Sequence, residues 1–356
     1  MQKKQIKLGL FLWLVLSAFN GCTALPVLST SENGRIILTH VGIRTIERPE
    51  LIENKDAQFY FFNNENIYVY EKKGLPILGF NKNGKLIFNT APKALYDFAG
   101  IHLLKNNTLA VCGYLNESYM RDTTQFLLFN KKAESMGKVF HKKLGKFVFN
   151  GLGLHQFPDN TFIISGLGWH DNKQILFAKF KYPNTDILKM GGTIGPGYDG
   201  GGITWHYTRS IISDGNLYYI VSTSPIVRKL DSNLELVKMT GVKGNHFQLE
   251  DDLKDSPNFG YWDYKRKNES FSEWIKRGSR TIDIFHHRKV VCVIYREVTD
   301  DKDRHWCQVY SKDFETYYGE VMLPDLPLGH DGEYIYFRDN QNNKALISKT
   351  QLQLKL

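Results

Sequence analysis

Tryptophan, tyrosine and histidine are concentrated in a few short segments of the chain, where their side chains could contact a ligand. Three tryptophans in these segments have a neighbouring histidine. Indole and phenol rings stack on sugars and other planar ligands, although tryptophan also fills protein cores. The segments are candidates for a binding surface, while the frequency of tryptophan in protein cores favours a core role for any one of these rings, and Trp306 beside His305 shares both interpretations. The candidate ligand-binding residues are Trp169, His170, Tyr198, Trp205, His206, Tyr261 and Trp262.

Two arginines stand just before strand-like apolar segments and could bind an anion. Arg209 precedes "SII", and Arg280 precedes "TIDIF". A guanidinium group presents a planar fork of donors that fits an anionic oxygen pair. A salt bridge to Asp199 or Asp263 is the alternative role for either arginine. We therefore add Arg209 and Arg280 to the candidate ligand-binding residues.

The residue patterns of known catalytic sites are missing from the sequence. These histidines do not form an H-E-x-x-H or H-x-H pair, and "ISGLGW" does not supply a G-x-S-x-G motif. Asp283 is the main carboxylate in the segments that lead each repeat, which argues against a calcium-dependent hydrolase. We predict no catalytic residue, no metal ligand and no cofactor. The alternative is a hydrolase or lyase, metal-dependent or not, that uses His170 or His206 with Asp199.

The glycine-rich stretch "GGTIGPGYDGGGITW" contains Gly195, Gly197 and Gly200 in G-x-G-x-x-G spacing. A dinucleotide fingerprint of this spacing needs a strand before it and a helix after it. Here the following segment "GITWHYTRSII" is strand-like, and Pro196 occupies the first variable position. The stretch therefore predicts a crossover between two repeats rather than a nucleotide site.

Cys292 and Cys307 lie almost symmetrically about the polar stretch "TDDKD". A hairpin at this stretch would bring the two cysteines close together. A cross-strand disulfide fits an oxidising compartment, and two buried thiols fit the spacing equally well.

The first residues have the order of a secretory signal. Residues 1–21 contain the basic start "MQKKQIK" and the apolar run "LGLFLWLVLSAF", which is shorter than the roughly 18 residues that a spanning helix needs. Gly21 and Cys22 resemble the end of a bacterial lipobox, which predicts lipidation of Cys22; cleavage after Ala24 is the alternative. We predict an exported lipoprotein of the bacterial cell envelope, periplasmic or on the surface, with an anchor linker over residues 22–33.

Six repeated units follow the linker, and each begins with an apolar strand, a short polar turn and a second alternating strand. Examples are "FYFFNNENIYVYE" and "SIISDGNLYYIVS". Most units continue with a second hairpin, so a unit contains four strands. Four-stranded units in tandem are typical of β-propellers. The sequence predicts an all-β fold, a six-bladed β-propeller of four-stranded antiparallel blades over residues 34–356.

Two segments do not fit the repeat. The strand-like segment Gly34 to Ile43 has no hairpin partner, and we expect it to close the ring as the outer strand of the last blade. Residues 243–280 form an insertion between blades four and five. Within it, Ser270 and Glu273 fit a capping box, which predicts one short helix.

The repeat pattern, the lipobox-like start and the insertion with "FSEWIKRGSRTIDIF" resemble the six-bladed β-propeller lipoproteins of Bacteroides-type bacteria. Their architecture is similar to that of TolB-like and NHL-like propellers. The resemblance covers most of the chain after residue 34. It implies an exported, anchored propeller whose ligand is unassigned.

The charge of the chain and the placement of its aromatic loops bound the partners. The net charge of +9 falls to +6 when Lys3, Lys4 and Lys7 leave with the signal. The remaining basic residues are spread along the chain with acidic residues between them. This distribution favours a solvated surface over a nucleic-acid patch. The aromatic and basic loops fall on one face of the predicted propeller. We therefore predict a monomeric, membrane-anchored module that binds a glycan, peptide or protein partner there.

Overall fold

The computed structural model describes residues 26–355 with internal gaps. The gaps are 63–64, 72–75, 91–96, 105–107, 115–123, 131–133, 141–147, 158, 160, 171–172, 182–185, 194–207, 223, 242–243, 248–277, 300–301 and 342–343. The signal peptide and Cys22 lie outside the described residues, as does the helix predicted around Ser270. In the described part of the chain, no helix has both the length and the apolar character needed to cross a bilayer.

Six antiparallel sheets form the fold, as predicted, and each is one blade of a propeller. Blade 1 contains β3 (Gln58–Phe62), β4 (Asn66–Tyr70), β5 (Ile77–Phe80) and β6 (Leu86–Thr90). Blade 2 contains β7 (Asp97–Leu103), β8 (Leu109–Tyr114), β9 (Thr124–Phe129) and β10 (Ser135–Phe140). Blade 3 contains β11 (Val148–Gln156), β12 (Thr161–His170), β13 (Lys173–Lys181) and β14 (Ile187–Gly191).

The second half of the ring repeats this plan. Blade 4 contains β15 (Arg209–Ser213), β16 (Asn216–Ile220), β17 (Val227–Leu230) and β18 (Leu236–Thr240). Blade 5 contains β19 (Arg280–His287), β20 (Val290–Glu297), β21 (Arg304–Ser311) and β22 (Tyr317–Leu323). Blade 6 contains β23 (Gly329–His330), β24 (Ile335–Gln341) and β25 (Lys344–Leu354), with β2 (Ile36–Arg44) and β1 (Val27–Thr30) beyond them.

The ring is closed by β2, which pairs antiparallel with β25 from Ile36 opposite Leu354 to Arg44 opposite Ile347. This confirms the closure predicted for the Gly34 to Ile43 segment. β1 then adds a fifth strand to blade 6, although residues 27–30 were predicted to be part of the anchor linker. The Ser29 hydroxyl donates to the Met322 carbonyl at 2.6 Å, so β1 also contacts blade 5.

The described chain contains one helix, α1 (Glu50–Glu53), which lies between β2 and β3. Leu51 and Ile52 are its two buried residues, and both join the apolar cluster between blades 6 and 1. A single turn of this kind carries too little periodicity to be recognised in a sequence.

The hydrophobic core is divided among the blade interfaces. Six apolar clusters each join residues of two neighbouring blades, so the clusters follow one another around the ring. The second strand of a blade lies between two such clusters, and all five residues of β16 except Asn216 are buried. The outer strand β18 instead exposes Leu236, Val237 and Met239. Alternation of polar and apolar residues is therefore weakest in the middle of a blade.

Cys292 and Cys307 lie on neighbouring strands of blade 5, yet both are free thiols. Cys292 is opposite Val309, and Cys307 is opposite Ile294. The two cysteines are diagonal rather than facing neighbours, a relation that typically separates Cα atoms by about 7–8 Å and exceeds the span of most disulfides. Both are fully buried between blades 5 and 6. The structure therefore has the second of the two predicted alternatives, because Cys307 lies two residues away from the position opposite Cys292.

Candidate functional site

The topology sorts the connections of each blade onto two faces. The turn inside each hairpin, such as Asp214 and Gly215 between β15 and β16, lies on one face, which we call the hairpin face. Both of these residues have positive φ, 48° and 75°, as a tight two-residue turn requires. The connections from second to third strand and from blade to blade lie on the other face, which we call the loop face.

A cavity of about 680 Å³ lies on the axis of the ring, and the innermost strands of all six blades line it. We call it the axial cavity. Its volume is in the range of small-molecule sites. Every blade contributes at least one polar side chain to its wall. These side chains are Gln58 and Tyr60 of β3, His102 of β7, His155 of β11, Arg209 and Ser210 of β15, Asp283 of β19, and His330 of β23.

His155 and Ser210 connect blades 3 and 4 across the wall of the cavity. Nε2 of His155 and Oγ of Ser210 share a hydrogen bond of 2.8 Å. Gly153 makes this approach possible, because a Cβ atom at that position would lie 2.9 Å from the Ser210 hydroxyl. The pair has the atom types of a nucleophile and its base, and its protonation behaviour decides whether it could act as one.

The pKa of His155 is lowered to about 3. Burial is the largest cause, and charge on the neighbouring His102 and His286 contributes in the same direction. The ring lies deep in the protein and borders the cavity with part of its surface. An efficient general base has a pKa near the working pH, so this imidazole is a poor proton acceptor at neutral pH. His155 is therefore suited to hydrogen bonding in its neutral form rather than to activating Ser210.

Blades 5 and 6 contribute an ion-pair geometry to the same wall. Nε2 of His330 lies 3.4 Å from Oδ2 of Asp283, and the His330 ring stacks on Phe285 with centroids 3.9 Å apart. Asp283 Oδ1 also accepts a hydrogen bond of 2.9 Å from the Ile284 N–H. The carboxylate is thus already engaged on both oxygens.

On the blade 1 side of the cavity, a phenol and an amide are paired. The Tyr60 hydroxyl donates to Oε1 of Gln58 at 3.0 Å. Burial raises the pKa of Tyr60, although the charge of Arg209 acts in the opposite direction. The phenol therefore stays protonated, donates its one proton to Gln58 and keeps an oxygen that can accept a hydrogen bond.

Basic side chains outnumber acidic ones on the cavity wall, where Lys55, Arg209 and Arg338 face the single carboxylate of Asp283. Arg338 is held by two backbone carbonyls, since Nε donates to Ile52 at 2.8 Å and Nη2 to Asn54 at 3.1 Å. Arg209 differs, because its buried Nη1 meets no hydrogen-bond acceptor among the described residues. The wall therefore combines neutral polar groups with one cation whose hydrogen-bonding capacity is unused there.

The predicted site residues are distributed unevenly over the structure. Arg209 lines the axial cavity, as its position before an inner strand suggested. Arg280 is 5% exposed, and its Nη1 donates to the Ser279 carbonyl at 2.9 Å, so it lies in the protein interior. Trp169 and His170 are the last residues of β12, opposite Gln174 and Lys173, which puts them at the loop face. The remaining candidates, Tyr198, Trp205, His206, Tyr261 and Trp262, lie outside the described residues.

Trp306, which shared the binding and core interpretations, is 9% exposed. Its ring stacks on His246 with centroids 3.7 Å apart, and its Nε1 donates to Oε2 of Glu297 at 2.7 Å. Phe247 and Tyr295 complete a small apolar cluster around it. Of the two roles considered for Trp306, the structure therefore shows packing in the protein core.

The same region contains a group of ionisable side chains that the sequence did not reveal. His246 Nδ1 lies 3.5 Å from Glu297 Oε1, and Nε2 lies 4.0 Å from Glu320 Oε1. Glu320 also accepts hydrogen bonds from the Tyr295 hydroxyl at 2.8 Å and from the Asn245 N–H at 3.0 Å. These contacts attach the first residues of the predicted insertion to blade 5, so the group fixes a chain segment.

His155, Ser210 and His102 were not predicted as site residues. Each stands alone in an apolar strand segment, and His155 is 55 residues away from Ser210 in the sequence. Only the closed ring brings them together. Among the described residues, no three histidine, cysteine, aspartate or glutamate side chains are grouped as a metal site would require.

Two solved structures similar to this chain come from Bacteroides. A member of the DUF4221 family from Bacteroides vulgatus is 13% identical with a TM-score of 0.59, over 92% of this chain and 99% of that chain. A protein of Bacteroides fragilis that carries the name of an exported protein is 10% identical with a TM-score of 0.59, over 92% and 97% of the two chains. At such identities the likeness shows the fold alone. No protein-family model matches the chain, and no curated protein matches it.

Proposed function

We propose that the protein is an exported, membrane-anchored interaction module that binds a ligand in the axial cavity and on the adjoining loop face. The observation that carries this proposal is the cavity itself, whose wall takes polar side chains from all six blades. A propeller of this kind fixes convergent groups on rigid strands, which suits recognition. The ligand is a glycan, a peptide or an exposed part of a protein partner.

Binding is favoured over catalysis by the character of the polar wall. Its one serine–histidine pair has a histidine with a pKa of about 3, and its one carboxylate is engaged by His330. The hydrolase or lyase alternative uses His170 or His206 with Asp199, and both Asp199 and His206 lie outside the described residues.

Export and anchoring are supported by the sequence and by one structural neighbour. The N-terminal 21 residues have the order of a signal peptide, and Cys22 follows the lipobox-like glycine. The Bacteroides fragilis neighbour carries the name of an exported protein. We infer a lipid anchor on Cys22 that holds the propeller at a membrane of the cell envelope.

Thermal unfolding of the domain from residue 23 onward tests the binding proposal with a panel of oligosaccharides and short peptides. A ligand that binds only the folded state raises the melting temperature by mass action. The test variant is Gln58→Trp, which enlarges an exposed side chain on the cavity wall. Its control is Gln353→Trp, at an exposed position on β25 away from the wall.

We expect a ligand that stabilises the wild type and Gln353→Trp but stabilises Gln58→Trp much less. An equal response of the two variants would place the ligand outside the cavity. The absence of any stabilising ligand across the panel would count against an interaction module of this type.

A further inference from the structure

Arg209 is the one arginine of the cavity wall whose guanidinium lacks a fixed acceptor in the described structure. It is the first residue of β15, and its backbone is paired with Ile220, so the sheet fixes the position of its Cα atom. The side chain lines the axial cavity. Its Nη1 atom is buried without a hydrogen-bond partner among the described residues. By contrast, Arg338 donates to two carbonyls.

The described wall of the axial cavity contains few negative charges that could neutralise Arg209. Asp283 supplies the only carboxylate on the described wall, and it already interacts with His330 and with the Ile284 N–H. A charge that loses water without gaining a partner costs free energy, so partly enclosed cations are normally paired. The neutral His155 adds no second cation. On the described wall, Lys55, Arg209 and Arg338 thus outnumber the one carboxylate, and Arg209 is the arginine with a guanidinium nitrogen that no described acceptor meets.

We infer that the axial cavity binds a small polar organic anion, whose carboxylate is held by the Arg209 guanidinium. This inference rests on the proposed function, because it names the chemistry of the ligand in the same cavity. The planar fork of donors on a guanidinium matches the two oxygens of a carboxylate.

The groups around Arg209 indicate what else the ligand carries. Tyr60 presents a protonated phenol, Gln58 an amide, and Ser210 a hydroxyl bonded to His155. Such groups exchange hydrogen bonds with ligand hydroxyl or amide groups. The same carboxylate chemistry occurs in a sugar acid and in an N-acylated amino acid. The two sources differ in the groups that surround the carboxylate.

The experiment compares matched pairs of probes by calorimetry and thermal unfolding. D-glucuronate is compared with D-glucose, and N-acetylalanine with N-acetylalanine amide, so that each pair differs in the presence of the charge. The protein variants are Arg209→Gln and Arg209→Lys. The control is Arg35→Gln, which removes the same charge from an exposed position away from the cavity.

At least one anionic probe is expected to bind the wild type and Arg35→Gln, with affinity that falls as salt is added. Arg209→Gln should weaken that probe by about tenfold to a hundredfold, the usual effect of losing a hydrogen-bonded charge. Arg209→Lys should retain part of the affinity, because it keeps the charge and loses the fork. The neutral probes should respond equally weakly in all variants.

Three results would overturn the inference. The first is equal binding of a charged probe and its neutral partner. The second is an anionic probe that binds Arg209→Gln as tightly as the wild type. The third is a lower melting temperature of unliganded Arg209→Gln with no change in probe binding, as a salt bridge within the protein would give. If neutral panel ligands bind while both anions fail, the anion inference falls and the interaction module stands; if no ligand binds at all, both fall.

Discussion

Burial between the blades lowers the pKa of three histidine side chains, His155, His286 and His287. His287 is 1% exposed, and its Nε2 accepts a hydrogen bond of 3.2 Å from the Leu352 N–H. Burial lowers its pKa to about 4, and a ring nitrogen that accepts a hydrogen bond likewise favours the neutral form. Burial also lowers the pKa of His286 and that of His155. His155 and His287 are therefore neutral in the folded protein at pH 6.

The stability of the protein should fall in mild acid because of His287. Its pKa is about 4 when folded and 6.5 in the ordinary state, so between these values the unfolded chain binds the additional proton. The free energy of unfolding is then fully retained above pH 6.5 and decreases as the pH falls towards 4, by up to about 3 kcal/mol.

The test is urea denaturation between pH 7 and pH 4.5 of the wild type and His287→Gln, whose amide oxygen can still accept from Leu352. We expect the variant to lose less stability over this range than the wild type. Parallel losses in the two proteins would show that His287 is not the titrating group.

At the level of single residues, the sequence located part of the candidate site. Arg209 was predicted because it precedes an inner strand, and it lines the cavity. His155 and Ser210 could not be predicted, because their chemistry arises from contact between two blades. Arg280 occupies the equivalent place in blade 5, yet it is buried. Position in a repeat thus does not by itself decide whether a side chain reaches the axial cavity.

Strands in this fold are stabilised differently according to their place in a blade. β2 has Leu38 at 0% exposure in the cluster between blades 5 and 6, whereas Ile43 on the same strand is 46% exposed. Because β2 pairs with β25, loss of packing at Leu38 weakens the closure of the whole ring.

Substitution of these two residues by alanine should have very different effects. Leu38→Ala removes a buried side chain and should lower the free energy of unfolding by about 2–5 kcal/mol, with the cavity it leaves contributing to the loss. Ile43→Ala, the matched control, should cost about 0.5 kcal/mol or less. The measurement is equilibrium denaturation followed by circular dichroism. Equal effects at the two positions would contradict the role of β2 in closing the ring.

Elements with local signals were the ones that the sequence predicted well. Hairpins such as β15 and β16 have a turn residue and a glycine with positive φ between two alternating strands. β1 was missed because it has four residues and pairs only with β2, far from any hairpin turn that specifies it. The sequence also left the register of Cys292 and Cys307 undetermined. A two-residue shift in strand pairing makes the two cysteines diagonal instead of opposite, and the number of residues between them stays the same.

For the whole molecule, the predicted lipid anchor on Cys22 would determine where the protein acts. We predict that Cys22 carries the lipid, so Cys22→Ser should move the protein from the membrane fraction to the released fraction. Thr23→Ser, the control, should remain with the membrane. Fractionation followed by mass spectrometry of the N-terminal peptide measures both. An unmodified N-terminus produced by cleavage after Ala24 would contradict the prediction.

The number of blades could be predicted because each blade repeats the same local pattern, and four-stranded sheets leave few other architectures. The closure could be predicted because one strand-like segment had no partner nearby. The composition of the axial cavity could not, because it depends on how six separate strands face one another across the axis.

The strands that close the ring come from opposite ends of the described chain, and the Lys355 N–H donates to the Arg35 carbonyl at 2.7 Å. Arg35 and Lys355 are therefore neighbours in blade 6, and a short linker could connect the chain there. A circular permutant that joins these ends and opens a hairpin turn elsewhere should keep all six interfaces. If Cys22 carries the predicted lipid, such a permutant would attach the anchor at a different blade, so the orientation of the propeller at the bilayer could be varied independently of the fold.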